Sequence, residues 1–147
     1  MSKEMYNVES GEDHLTYTFY SDGTKGRILK IVLYQPVYED LYNLAFGDAN
    51  GEGFEFDDFI RTNNQDTDKV LATVASTLYD FFDHYNGALV IAQGGTHSRT
   101  RLYRRYLTAF LETINSDFML YGELEGELER FRKGVDYQSF LIRKVKS

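Results

Sequence analysis

The chain has 147 residues, with 16 Lys and Arg against 23 Asp and Glu for a formal net charge of −7, twelve Tyr, eleven Phe, no Trp and no Cys. That length suits a single domain with its own core, and the missing cysteines exclude disulfides, thiolate nucleophiles and cysteine-based zinc sites. The acidic balance argues against nonspecific nucleic-acid binding, which needs basic surface to displace counterions.

No apolar run approaches the roughly 20 residues of a membrane span, and the start, Met1-Ser-Lys-Glu-Met-Tyr-Asn, lacks the apolar centre of a signal peptide. A soluble, cytoplasmic protein without a membrane segment is therefore expected. Charge is uneven: residues 1–60 hold twelve acids and four bases, and residues 61–147 hold eleven acids and twelve bases.

In chain order, residues 1–13 are polar and acidic and predict a flexible N-terminus, with one domain over 14–147. Residues 15–20 alternate and are rich in β-formers, residues 21–26 carry turn chemistry, and residues 28–34 are again β-branched and apolar, which predicts a hairpin. Pro36, the only proline, is expected to end the second strand. Residues 41–46 read as a third strand, 47–53 as a glycine-rich turn, and 54–61 as a fourth strand, giving an antiparallel meander.

The period then changes. Val70, Leu71, Val74, Ala75, Leu78, Phe81, Phe82 and Tyr85 recur on one side of a helix of about four turns. Asp66 or Asn64 is the expected N-cap, and Asn86-Gly87 the stop. A buried strand follows at residues 88–92, then a Gly94-Gly95 turn and a second helix opening at Thr96 or Ser98 and running to about Ile114. Residues 118–121 read as a strand, 123–132 as a short helix, and 137–143 as the last strand. The pattern β-β-β-β-α-β-α-β-β predicts an α+β domain: one mixed, largely antiparallel sheet with two main helices packed on it.

A strand that delivers its C-terminal end to a helix N-terminus collects free backbone N–H groups at one point, the usual anion site of an α/β layer. Gly94, Gly95, Thr96 and Ser98 form that turn. Arg99 falls within the apolar stripe of Leu102, Tyr103, Tyr106, Leu107, Phe110 and Ile114, where a cation opposes the helix dipole and faces the sheet, so it needs an anionic partner. A ligand phosphate or carboxylate held with Thr96 and Ser98 is one partner. An internal pair with Asp57, Asp58, Asp66 or Asp68 is the other. The polar loop of residues 62–68 leads into the first helix on the same expected edge, so Asn63, Asn64 and Thr67 join the candidate ligand set.

His97 beside this turn could serve as an acid or base, although a solvent-facing loop histidine is the commoner role. Tyr103 suits the core better than catalysis. His14 and His84 have no spacing that suggests a metal site, and Asp57 and Asp58 point to opposite faces of a strand, so no metal is expected. The residues specify no cofactor.

Three stretches, Tyr42-Asn-Leu-Ala-Phe-Gly-Asp48, Asp57-Asp58 with Thr62-Asn-Asn-Gln-Asp-Thr-Asp-Lys-Val-Leu-Ala-Thr-Val-Ala75, and Gly95-Thr-His-Ser-Arg-Thr-Arg-Leu-Tyr103, resemble a family of small bacterial proteins of unknown function, best represented among Bacteroidetes. The resemblance covers most of the chain and implies no activity. The element order, with Arg101-Leu-Tyr-Arg-Arg105 on the second helix, is loosely similar to the core of acetyl-CoA-dependent N-acetyltransferases. In that superfamily a glycine-rich loop holds the coenzyme A pyrophosphate; the corresponding loop here, residues 61–68, has no glycine and carries two acids.

Three functions remain open: binding of a small anion or nucleotide, an acyl-CoA-dependent transferase with Tyr103 as proton donor, or a protein-interaction module of a bacterial stress or phage-defence system. These readings leave both an enzyme and a binding protein open.

Overall fold

The computed structural model describes residues 4–49, 66–93, 112, 114, 117–132, 134, 135, 137 and 139–145. Among the described residues eight strands form one mixed sheet: β1 (Glu9–Ser10), β2 (Thr16–Gly23), β3 (Gly26–Tyr38), β4 (Leu41–Asp48), β5 (Leu89–Gln93), β6 (Phe118–Leu124), β7 (Glu127–Arg130) and β8 (Ser139–Lys144). Their order across the sheet is β1-β2-β3-β4-β5-β8-β6-β7. Every neighbouring pair is antiparallel except β4 and β5. Helix α1 (Thr67–His84) makes the crossover between those two parallel strands.

The expected first hairpin is present, with strands longer than their apolar runs. The register closes at Gly23↔Gly26, leaving only Thr24 and Lys25 in the turn, and Gly26 takes the positive φ that a tight reversal needs. Pro36 does not end β3, which continues to Tyr38 through a bulge between Pro36 and Tyr38. The last pair with β2 is Thr16↔Leu33, and the Tyr34 N–H points to Leu15 O on the β2 side. Backbone N–H direction alternates along a strand, so the nitrogen of Pro36 faces that same side two residues on, beyond the end of the ladder, and no sheet bond is lost there.

Residues 123–132 are a hairpin rather than the expected short helix. Glu125 and Gly126, both at positive φ, turn β6 into β7, and Leu124 pairs with Glu127. Two consecutive residues with positive φ make the tight turn that matches strand twist. The exposed edge strand β7 carries its charges in water, where a charged face has no helical requirement. The fourth meander strand expected at 54–61 lies outside the described residues. So does most of the second helix, of which Glu112 and Ile114 are described, both with helical backbone and Ile114 fully buried.

The α1 stripe matches its periodicity. Val70, Leu71, Val74, Ala75, Leu78, Phe81 and Phe82 are all buried. They pack on one face of the sheet, which presents Tyr17 and Phe19 from β2, Val32 and Tyr34 from β3, Leu44 from β4, Val90 from β5, Phe140 and Ile142 from β8, and Phe118 and Leu120 from β6. Alternation of side chains along each strand puts these residues on one side. Aromatic contacts join the layers: the Tyr34 and Phe81 rings stack at 4.3 Å, and Phe82 meets Phe118 at 5.3 Å. At Gly122 a Cβ would come within 2.3 Å of the Tyr137 ring, so a residue without a side chain lets that ring close the core over β6. No described helix is long and apolar enough to cross a membrane.

Candidate functional site

The course of α1 defines two ends of the molecule. Because α1 returns to β5 through the short Asn86-Gly87 turn, it runs against β5, and its N-terminus lies at the edge where β5 ends. Since β2 and β4 run in the same direction as β5, their C-terminal ends share that edge.

At this edge β4 and β5 part. Their parallel register covers Leu41↔Leu89, Tyr42↔Val90 and Asn43↔Ile91 only, while β4 continues to Asp48 and β5 to Gln93. Beyond Asn43 and Ile91 the described carboxyl ends of β4 and β5 are not paired with one another.

Two charged groups are built into the same edge. Register Lys30↔Asp48 sets a fully buried ammonium against the last carboxylate of β4, and the two form an ion pair. A buried cation without an anion would be strongly destabilising, so the hairpin register fixes the pair. Asp66 occupies the expected N-cap position of α1 but makes no side-chain cap bond. Its Oδ2 instead accepts from Tyr6 Oη at 2.6 Å and Ser21 Oγ at 2.5 Å. Burial, with the Asp66 carboxylate beside it, pushes the Tyr6 phenol up. The Tyr6 N–H also donates to Thr73 Oγ1 at 2.9 Å, and Lys69 Nζ lies 4.3 Å over the Tyr6 ring. The negative charge of Asp66 stays at the helix start, where the dipole favours it.

Asn63, Asn64, Gly94, Gly95, Thr96, His97, Ser98, Arg99 and Tyr103 lie outside the described residues, as does the side chain of Thr67. The described neighbours of those segments, Gln93 at the end of β5 and Thr67 at the start of α1, are at this same edge.

A different constellation occupies the opposite end of α1. His14, in a left-handed conformation at φ 59° just before β2, places Nδ1 2.8 Å from Asp80 Oδ2. His84, one turn after Asp80, has Nδ1 2.9 Å from Asp80 O and 3.9 Å from Asp80 Oδ1. The two imidazoles stack with centroids 3.5 Å apart and planes 12° from parallel. The Tyr17 hydroxyl donates to Asp80 Oδ2 at 2.7 Å and lies 3.0 Å from His14 O.

Partial burial works to raise the Asp80 pKa, but the hydrogen bonds from Tyr17 and His14, with the charge of the two imidazoles, outweigh it and hold the carboxyl below its ordinary value. Burial first, then Asp80, pushes the Tyr17 phenol far above its ordinary range, which keeps it a donor. One potential ligand atom from each of His14, Asp80 and His84 lies within 4.8 Å of the others.

Sequence reasoning set His14 and His84 aside because seventy positions separate them. The available signal was partial: Asp80 and His84 stand four apart on a helix and so share a face. What brings His14 in is the antiparallel course of α1 over β2, a tertiary fact.

No curated protein and no solved structure gives a significant match to the chain. The model of the family of unknown function DUF6934 matches residues 2–145, nearly the whole length, and the chain belongs to that family.

Proposed function

We propose that this protein binds a small anionic ligand, a phosphate, nucleotide or similar group, at the edge where β4 and β5 part. The observation that carries this reading is the three-residue extent of the parallel pairing, at the edge where the N-terminus of α1 also lies. A helix N-terminus directs backbone N–H groups and a partial positive charge at an anion. Gly94, Gly95, Thr96, Ser98 and Arg99 follow β5 directly in the chain, and Asn63, Asn64 and Thr67 lead into or open α1, so both groups of candidates adjoin this edge in sequence. Arg99 supplies the bidentate contact in this reading.

The test is a thermal-shift titration of wild type and Arg99→Ala with inorganic phosphate, nucleotides and sugar phosphates. Ligand at about 100 times its Kd stabilises the folded state by roughly 2.7 kcal/mol. A rise in wild type that is lost in a folded Arg99→Ala is the expected result. If no ligand moves wild type, or the variant responds equally, the reading fails.

A second reading, an acyl-CoA-dependent transferase of N-acetyltransferase shape with a second main helix after β5, draws support from the succession β2-β3-β4, α1, β5 and three closing antiparallel strands in one sheet. Tyr103 is then the proton donor to the leaving thiolate. Saturable calorimetric binding of acetyl-CoA is its expected signature, and a flat titration removes it.

A further inference from the structure

Away from the anion edge, at the far end of α1, His14, Asp80 and His84 have the composition of a transition-metal site. We propose that these three side chains bind one divalent ion of the zinc class, through two imidazole nitrogens and one carboxylate oxygen, with the remaining coordination open to water.

The donor set is the first support. Imidazole with carboxylate suits Zn2+, Ni2+ and Co2+, and three protein ligands leave the open position typical of a reactive rather than a purely structural site. Spacing is the second. Metal–ligand bonds of about 2.0–2.1 Å at tetrahedral angles set ligand atoms roughly 3.4 Å apart. One ligand atom from each of the three residues lies within 4.8 Å of the others, and Asp80 reaches His14 Nδ1 with Oδ2 at 2.8 Å and His84 Nδ1 with Oδ1 at 3.9 Å, so either carboxylate oxygen is near an imidazole.

The two stacked imidazoles must turn out of parallel to converge on an ion, and their partial exposure leaves room for it: exposures are 29% for His14, 42% for Asp80 and 44% for His84. The ion takes the place of the bonds from His14 Nδ1 to Asp80 Oδ2 and from His84 Nδ1 to Asp80 O, and the proton on each Nδ1 moves to Nε2 or leaves to water.

Support behind the ligands is the third argument. The Tyr17 hydroxyl, itself held in the core on β2, fixes Asp80 Oδ2. The backbone also commits His14 to this place: it is one of three described non-glycine residues at positive φ, and the strained turn is bridged by the bonds Gly11 N–H to Thr16 O and His14 N–H to Gly11 O. The chain's net charge of −7 adds a favourable field for a cation.

The alternative occupant of this geometry is a hydrogen bond alone, fastening the turn before β2 to the last turns of α1. Isothermal titration of the full chain with Zn2+, together with visible absorption of the Co2+ complex, separates the two. Wild type is expected to bind one equivalent of Zn2+ saturably and to give Co2+ the intense d–d bands of a four-coordinate site. His84→Ala, on an exposed helix position, and His14→Asn, which keeps a residue tolerant of the left-handed region, are each expected to weaken Zn2+ binding at least tenfold and to abolish those bands while retaining the wild-type circular dichroism.

Asp83→Asn, which alters the neighbouring exposed carboxylate, is expected to bind as wild type does. Tyr17→Phe is expected to weaken binding roughly tenfold by releasing Asp80. Absence of saturable binding by wild type, or equal binding by a folded His84→Ala or His84→Gln, overturns the proposal.

Discussion

The bond between Tyr34 and Thr77 joins the centre of the sheet to the centre of α1, and its polarity can be read from the neighbouring bond. Thr77 Oγ1 lies 2.7 Å from Val74 O and donates its only proton there, so at 2.7 Å from Tyr34 Oη it must act as acceptor and Tyr34 as donor. Both side chains are buried, and burial pushes the Tyr34 phenol well above its usual range.

The two partners therefore differ in what their removal leaves behind. Tyr34→Phe takes away the donor and leaves Thr77 still bonded to Val74 O; the ring keeps its stacking on Phe81 at 4.3 Å. The expected cost is about 1 kcal/mol. Thr77→Val takes away the acceptor and strands a phenolic O–H in the core, with a methyl group pressed against it, at about 2–3 kcal/mol. The double variant Tyr34→Phe/Thr77→Val has neither polar group, and its cost should fall below that of Thr77→Val alone, near 1 kcal/mol.

Urea unfolding followed by circular dichroism reads these differences directly. In thermal scans they correspond to roughly 2–4 °C for Tyr34→Phe and roughly 4–12 °C for Thr77→Val, at about 2–4 °C per kcal/mol for a domain of this size. A Tyr34→Phe variant at least as costly as Thr77→Val, or a double variant that costs the sum of the two, would show that the donor has been assigned to the wrong hydroxyl.

Gly122→Ala sets a methyl within 2.3 Å of the Tyr137 ring and is expected to lower stability by roughly 1–3 kcal/mol, measured by urea unfolding; a neutral result would mean that Tyr137 does not close over β6. Asp66→Ala removes the carboxylate that accepts from Tyr6 and Ser21 at the start of α1, with an expected loss of about 1–2 kcal/mol and faster amide exchange in the first turn, and unchanged exchange would contradict that role. Asp80 has a folded pKa below its unfolded one, so its contribution is complete above about pH 4 and is lost as pH falls through the lower folded value. The difference in thermal midpoint between wild type and Asp80→Asn should accordingly shrink between pH 5 and pH 2.5, and a constant difference over that range would refute the linkage.

Local pattern carried most of the fold into view. The β2–β3 hairpin follows from alternation around a turn cluster, and α1 from eight apolar positions at helical spacing, because each is satisfied by neighbours within its own segment or face. The β6–β7 hairpin was misread because an edge strand with mixed charges lacks the apolar alternation that marks a half-buried strand; Glu125-Gly126 was the remaining signal. The place of β8 between β5 and β6 is set by pairings between distant segments, and nothing within residues 139–144 encodes it. Lys30 was more accessible to inference than it looked. It shares its strand parity with Val32 and Tyr34 inside an apolar run, which marks a cation facing the core and calls for an acid on a neighbouring strand.

The polar groups on the sheet-facing side of α1 explain why the two candidate sites sit where they do. Thr73 accepts from the Tyr6 backbone, Thr77 from Tyr34, and Asp80 from Tyr17, while Asp66 at the helix start accepts from Tyr6 and Ser21. Residues 73, 77 and 80 follow one another at helical spacing, so these bonds form a line along the same stripe that buries Val74, Leu78 and Phe81. Apolar packing alone would tolerate a slip of one turn, about 5.4 Å, because Val, Leu and Phe recur at the same period. Directional bonds resist it at the ends of the line, where a slip would part Asp66 from Tyr6 and Ser21 or Asp80 from Tyr17. The register they fix holds the start of α1 at the parting of β4 and β5 and carries Asp80 and His84 to the turn that bears His14. The two proposed sites share one alignment of helix on sheet, so Thr77→Val is expected to weaken phosphate and Zn2+ binding together in calorimetric titration, and a folded variant that loses only one of them would refute the shared alignment.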